Sequence, residues 1–424
     1  FRMVAIGIDL SSGFTHVAFC KDDGKVDPLK KNLGIPSIIA YYEGQFLVGE
    51  KALKKIASIA PKDFFNIVEV LTTGKKSGDG YSLYTPQEIA AIFLKHVKKE
   101  AEAVVGPVEK AVIAISPTLT CSQRMAVKLA GRIAGFKEIG IINSTTAAVL
   151  SYCIRTSGEE NLLRNMLVFQ LRGSECHVAR FNFSGAFKAE SVLGCNLGGD
   201  VFSDAMLQDT NRKNRSNPHI IASEDLVKQA LGPYRRISPA NVKHVVMLGT
   251  SVHIPAMQEM LRDNFPDSHI IMDNALEHVA FGAAARAQAE EPLDGNLRDK
   301  LPNIEYLAPM DMIIKMGEHT ETLFVANVQQ PAIQWRQLSI SGNKDAVEIS
   351  LYESHRGASY PVGTYNISGW IEDTTNEITV LVTLDSNGIY SVSARDTSHV
   401  YVVKRNEDLS DDEIKSMTER VKNL

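Results

Sequence analysis

Ten residues near the amino terminus, Asp9-Leu10-Ser11-Ser12-Gly13-Phe14-Thr15-His16-Val17-Ala18, line up without a gap on Gln170-Leu171-Arg172-Gly173-Ser174-Glu175-Cys176-His177-Val178-Ala179. Both copies read as a strand, a turn of small residues and a second strand. Coincidence between two ordinary hairpins is one explanation. Duplication is the other and is far more restrictive, because it demands two α/β halves, each aiming one turn at a shared cleft.

The intervening chain suits such halves. Val4 to Leu10 and Phe14 to Cys20 form the first hairpin. Thr85-Pro86-Gln87-Glu88 has the spacing of a capping box with Pro at the first helical position, and Ile89, Ile92, Phe93 and Val97 give the helix that follows an apolar stripe. A strand over Lys110 to Ile115, a helix from Ser122 to about Gly135 and a strand ending at Ile142 continue the alternation. A third strand, turn and helix unit lies at Val245 to Pro255, where small residues after the strand let backbone amides approach an anion. Gly282-Ala283-Ala284-Ala285 predicts a helix packed closely on its neighbours.

The pattern changes after Glu290-Glu291-Pro292-Leu293-Asp294-Gly295-Asn296, an acidic, turn-rich stretch typical of a domain boundary. From Met310 to Arg405 it is all strand: Met312 to Met316, Thr322 to Val325, Val347 to Leu351, Thr364 to Ile367, Ile378 to Leu384, Ile389 to Ala394 and Val400 to Val403. Asp385-Ser386-Asn387-Gly388 marks a hairpin turn. Ser410 and Glu413 then open a final helix with Ile414, Met417 and Val421 on one face.

The 424 residues carry a formal net charge of −5, and 44% of them are hydrophobic. That composition excludes a disordered or collagenous chain and argues against a whole-protein electrostatic grip on nucleic acid. No sequence-specific nucleic acid binding is expected. Five cysteines without a C-x-x-C pair fit a reducing, cytoplasmic compartment. No apolar stretch is long enough to span a membrane. The chain opens on Phe1, which is compatible with a removed leader.

Read in order, the segments resemble the seventy-kilodalton heat-shock chaperone family. The resemblance rests on Gly7-Ile8-Asp9-Leu10, Ser122-Gln123-Arg124 through Ala130-Gly131-Arg132-Ile133-Ala134-Gly135, Ile141-Ile142-Asn143 with Thr146-Ala147-Ala148, Leu197-Gly198-Gly199-Asp200, Leu248-Gly249 with Ser251 and Ile254-Pro255, and Asn387-Gly388-Ile389 with Val392-Ser393-Ala394. It implies a duplicated, two-lobed actin-like α/β domain over 1–290, a linker over 291–309, an all-β sandwich over 310–405 that binds peptides, and the start of a helical lid over 406–424. It also implies ATP or ADP with Mg²⁺ as cofactor. Retained nucleotide contacts would come from Asp9, Ser11, Ser12, Gly13, Gly173, Ser174, Gly198, Gly199, Asp200, Gly249, Ser251 and His253, with Asp9 reaching the metal through water. Leu323, Phe324, Leu338 and Val347 match the peptide pocket, or are simply sandwich core.

The departures fall where the family does its chemistry. Gly-Thr-Thr after the first aspartate is here Ser11-Ser12-Gly13, and the second hairpin has Gln170 for aspartate and Arg172 where close backbone approach is needed. Glu175 adds a negative charge beside the polyphosphate position, and Ser144 replaces a carboxylate. The catalytic lysine aligns with Glu69. In the adenosine loop, Thr250 replaces a glycine and His253 an arginine. Phosphoryl transfer depends on positioned charge, so these changes point to lost or very weak hydrolysis. Only 46 positions (245 less 199) separate Gly199 from Val245, where the family places a whole adenine-covering subdomain. Either it is deleted or the chain omits it.

The expected function is a heat-shock-type chaperone or co-chaperone with a degenerate nucleotide site, acting through protein contacts on unfolded or nascent peptides, with a J-domain partner at the ribosome. A slow but genuine ATP-hydrolysing chaperone and a pure scaffold are the alternatives.

Overall fold

A computed structural model of the chain describes residues 4–21, 25–30, 34–74, 84–156, 165–172, 175–183, 187–195, 218–231, 238–249, 254–273, 275–289, 304–308, 310–326, 328–341, 346–355, 357–369, 375–396 and 399–424. The chain divides into two compact units: Phe1–Pro117, Val127–Glu305 and Met417–Leu424 form one, Thr118–Ala126 and Tyr306–Ser416 the other.

The first unit begins with β1 (Val4–Asp9), β2 (Phe14–Cys20), β3 (Val26–Pro28) and β4 (Ile35–Pro36), followed by a small sheet of β5 (Ile38–Tyr42), β6 (Gln45–Val48) and β7 (Phe64–Asn66). α1 (Glu50–Lys55), α2 (Ile67–Thr73), α3 (Pro86–Val105), β8 (Val108–Ile115), α4 (Cys121–Ile133), β9 (Glu138–Asn143) and α5 (Ser144–Arg155) complete the first half. The second half runs β10 (Met166–Arg172), β11 (Glu175–Phe183), β12 (Phe187–Cys195), α6 (Pro218–Leu231), β13 (His244–Leu248), α7 (Pro255–Asn264), β14 (His269–Ile271) and α8 (His278–Ala289). The halves have equivalent sheets, ordered β3-β2-β1-β8-β9 and β14-β13-β10-β11-β12. In each, the leading strand pairs antiparallel with the next and parallel with a later one. Asp9 stands opposite His16 in the first hairpin, and Gln170 opposite His177 in the second. The ungapped repeat is thus a repeat of register, as duplication requires.

Local chemistry sets these elements. Thr85 Oγ1 accepts from the Glu88 amide at 3.2 Å while Glu88 Oε2 accepts from the Thr85 amide at 2.8 Å, the expected capping box. Ile89, Ile92, Phe93 and Val97 are all buried. Glu88 also holds Arg420 at 2.6 Å, and Lys95 donates to the carbonyls of Val421 and Lys422. α8 is buried along most of its length, and its small residues explain how. A Cβ on Gly282 would lie 1.7 Å from the Ala147 carbonyl oxygen, and one on Gly7 2.1 Å from the Ala284 amide nitrogen. α6 is an addition to the sequence reading, which names no helix between Gly199 and Val245. Ile220, Leu226 and Val227 are buried in the core of the second half.

In the second unit an eight-stranded sheet folds over one apolar core. Its strands are β16 (Asp311–Met316), β17 (His319–Phe324), β19 (Ala332–Ser341), β20 (Val347–His355), β21 (Ala358–Ser368), β22 (Thr375–Leu384), β23 (Tyr390–Arg395) and β24 (Val400–Arg405), ordered β17-β16-β20-β21-β24-β23-β22-β19. The short β15 (Ile304–Leu307) and β18 (Gln329–Gln330) pair with each other, Tyr306 opposite Gln330 and Leu307 opposite Gln329. All seven strands read from the sequence are present. Of the eight strands of that sheet the sequence reading lacks β19, which lies at an edge with its alternation inverted: Ile333 and Trp335 face solvent while Gln334 and Arg336 are partly covered. Asp385 caps the predicted hairpin turn, accepting from the amides of Asn387 and Ile389. Only Gly388 of that turn needs a positive φ, 74°. The final helix α9 (Asp411–Lys422) starts with the expected Ser410 and Glu413 capping box. Among the described residues, no helix is long and apolar enough to cross a membrane.

Candidate functional site

Asp9 is the last residue of β1 and only 2% exposed. A carboxylate in that position must find compensation, and it does so within the chain. Arg172, at the end of β10, donates Nη1 to Asp9 Oδ1 at 2.7 Å and Nη2 to Asp9 Oδ2 at 2.6 Å. The side chains are 3% and 12% exposed. This two-pronged arrangement is the strongest geometry for a guanidinium on a carboxylate. It joins the sheets of the two halves at the ends of equivalent strands.

Two other altered positions meet each other. Ser144, the first residue of α5, donates Oγ to Gln170 Oε1 at 2.7 Å, and both side chains are buried. A neutral hydrogen bond therefore stands where the family resemblance implies two carboxylates. The repeat's histidines flank the centre. His177 Nε2 lies 3.1 Å from Ser116 Oγ and 3.7 Å from Glu175 Oε2. Burial lowers the pKa of His177, against the opposing field of Glu175, and also lowers that of His16, opposed by Asp9 and Glu277. Both imidazoles are neutral near pH 7.

The first turn is tied into its own half. Ser11 donates to the Phe14 carbonyl at 2.8 Å, Asn66 Nδ2 to the Ser12 carbonyl at 2.6 Å, and the Ser37 amide to the Gly13 carbonyl at 3.0 Å. A Cβ on Gly13 would meet nothing within 4 Å. Gly249 is different: its φ is +95°, and a Cβ there would lie 2.2 Å from the Leu171 carbonyl oxygen and 3.4 Å from Arg172 Cγ. Only glycine lets this turn press against the strand that carries Arg172.

Among the sequence candidates, Asp9, Ser11, Ser12, Gly13 and Gly249 are described. Gly173, Ser174, Gly198, Gly199, Asp200, Ser251 and His253 lie outside the described residues. In the second unit Leu323 and Phe324 are buried in the core, with Leu338 and Val347 packed against it. Sequence reasoning treats Arg172 as a bulky obstacle and misses its partner. The signal was available: Arg172 is two residues beyond Gln170, on the same face of the strand, and Gln170 is the repeat counterpart of Asp9.

The arrangement does not fit hydrated Mg²⁺ at Asp9, because both carboxylate oxygens are engaged by a cation of the chain itself.

The Hsp70 protein family model matches residues 66–231 and 217–424. Chaperone protein DnaK of Thermotoga petrophila is 27% identical over 498 aligned positions, covering 98% of this chain and 83% of that protein, and DnaK of Thermotoga maritima gives the same figures. DnaK of Thermotoga neapolitana is 26% identical over the same span. The alignment exceeds the 424-residue chain by 74 positions (498 less 424), so these relatives carry at least that many residues that it lacks.

Proposed function

From the premise that this chain belongs to the Hsp70 family, we propose that it is a heat-shock chaperone whose nucleotide site is degenerate and which assists folding through protein contacts, not through an ATP cycle of its own. The observation that carries this reading is Arg172 on both oxygens of Asp9. A guanidinium held there supplies the positive charge that Mg²⁺ would bring, and a nucleotide would have to displace a buried, bidentate pair to recover the carboxylate. The neutral Gln170 and Ser144 contact supports the same reading, because the electrostatic work of phosphoryl transfer rests on positioned charge. No catalytic step is assigned to these residues.

Clients on this reading are unfolded or nascent peptides held by the second unit. Leu338 and Val347, partly exposed, are the proposed client contacts, with Leu323 and Phe324 shaping the floor beneath them. The proposed partner is a J-domain co-chaperone, and the proposed setting is the cytoplasm at the ribosome, as in the divergent ribosome-associated branch that the sequence resembles.

Calorimetry of the purified chain with ADP and ATP, with and without Mg²⁺, tests the core of the reading. No binding heat is expected. Mg²⁺-dependent binding together with single-turnover hydrolysis that Asp9→Asn abolishes would overturn it in favour of a slow ATPase, the second reading, which the retention of Asp9 supports. Co-sedimentation with ribosomes and a J-domain pull-down test the setting, and failure of both removes it.

A further inference from the structure

Cys176 lies near the start of β11 and Cys195 ends β12. They stand directly opposite one another in the antiparallel register, beside His177 opposite Gly194. Opposed residues on antiparallel strands share a face and hold their Cα atoms about 4.5–5.5 Å apart. A disulfide needs about 4.4–6.8 Å between Cα atoms, so the backbone already meets its requirement. Cys176 has side-chain hydrogen bonds with Cys195 and with Ser223 of α6.

The two sulfurs differ in access. Cys176 is buried in the core of the second half, whereas Cys195 is half-buried and packs against that core from its margin. The other thiols sit in separate surroundings: Cys20 beside Ala280 and Ala284, Cys121 in the sandwich core, Cys153 on α5. The hydrogen bond with Cys195 and burial push the Cys176 pKa up, so the more accessible Cys195 is the sulfur that meets a reagent first.

We propose that Cys176 and Cys195 are a redox modification site that closes reversibly to a cross-strand disulfide on exposure to a low-molecular-weight disulfide such as oxidised glutathione. Cys195 loses its proton, and its sulfur attacks one sulfur of the reagent. The reagent's S–S bond breaks, and one glutathione leaves as thiolate and takes up that proton. Cys176 then loses its proton and attacks Cys195 Sγ, breaking the mixed disulfide, and the second glutathione departs with the second proton. Two protein thiols are oxidised to one disulfide while one glutathione disulfide is reduced to two thiols. The bond lies one residue pair inside Arg172 and Glu175, the pair that closes the β10 and β11 hairpin, because Leu171 stands opposite Cys176. It would therefore staple the strand ends beside the Asp9 ion pair.

The test treats the reduced full chain with oxidised glutathione, quenches it with N-ethylmaleimide under denaturing conditions, and maps the digest by mass spectrometry. The expected result is loss of two of the five alkylatable thiols and a linked peptide pair containing Cys176 and Cys195, both reversed by dithiothreitol. Cys195→Ser should give no linked pair, and Cys176→Ala should accumulate the glutathione adduct on Cys195. Retention of all five alkylatable thiols in the unmodified sequence, an adduct on Cys195 that never converts to the linked pair, or linkage between any other cysteines would overturn the proposal. These readouts do not depend on nucleotide binding.

Discussion

The two hairpins of the first unit share strand register but have diverged in chemistry. The first keeps an acidic residue at its strand end, Asp9, and fastens its turn within its own half through Ser37 and Asn66. The second exchanges the equivalent acid for Gln170, satisfies it against Ser144, and sends Arg172 across to the first. Duplicated backbones can thus hold one another's charges: the acid kept in one copy is paired with a basic residue of the other.

The largest expected effect comes from removing the crossing residue. Arg172→Ala leaves a carboxylate that is 2% exposed without its counter-ion and should cost about 3–5 kcal/mol in chemical denaturation. Replacing both partners with apolar residues, Asp9→Leu with Arg172→Met, should recover most of that loss. A double variant as unstable as the sum of the singles would show that the pair does not act as a unit.

Glycine separates the turns next. Gly249→Ala drives a Cβ to 2.2 Å from a backbone oxygen at a φ of +95° and should lose at least about 2 kcal/mol, whereas Gly13→Ala meets open space and should change stability by less than about 0.5 kcal/mol. Similar losses at both sites would contradict the asymmetry described between them. Gln170→Ala removes one buried hydrogen bond and some packed volume, for a loss of about 1–3 kcal/mol in the same denaturation assay.

The smallest effect is a difference in acid sensitivity. Burial lowers the folded-state pKa of both His16 and His177 below 6.5, so the unfolded chain takes up these protons first. Stability is then fully present above pH 6.5 and is lost as pH falls below 6.5 toward the lowered values. His177 is 1% exposed and His16 is only partly buried, with Asp9 and Glu277 favouring its charged form. Melting curves between pH 7 and 5 should therefore flatten more for His177→Asn than for His16→Asn. Burial of His278, whose pKa falls to about 4, supplies a background common to both variants.

Much of the fold was legible because its signals are local. Caps at Thr85 and Ser410, the apolar stripe of α3 and the Asp385 turn depend on residues within a few positions of one another. α6 and β19 escaped because tertiary context decides them: the apolar residues of α6, among them Ile220, Leu226 and Val227, lie between polar flanks, and β19 shows Ile333 and Trp335 to solvent. At the site, each altered residue was recognisable as a departure. Their pairing was not, since Asp9 with Arg172 and Ser144 with Gln170 join positions far apart in the chain. Only superposing the two repeats brings Arg172 toward Asp9.

The bond between Arg172 and Asp9 also has a bearing on supply. A ligand that clamps two lobes together contributes in proportion to the logarithm of its concentration relative to its dissociation constant. A side chain of the same polypeptide is always present in one copy, at a local concentration that dilution, starvation or competition leaves untouched. On the proposed reading, the place where the two halves meet carries no record of how much nucleotide surrounds it, and the timing of the chain's action comes from the proteins that engage it.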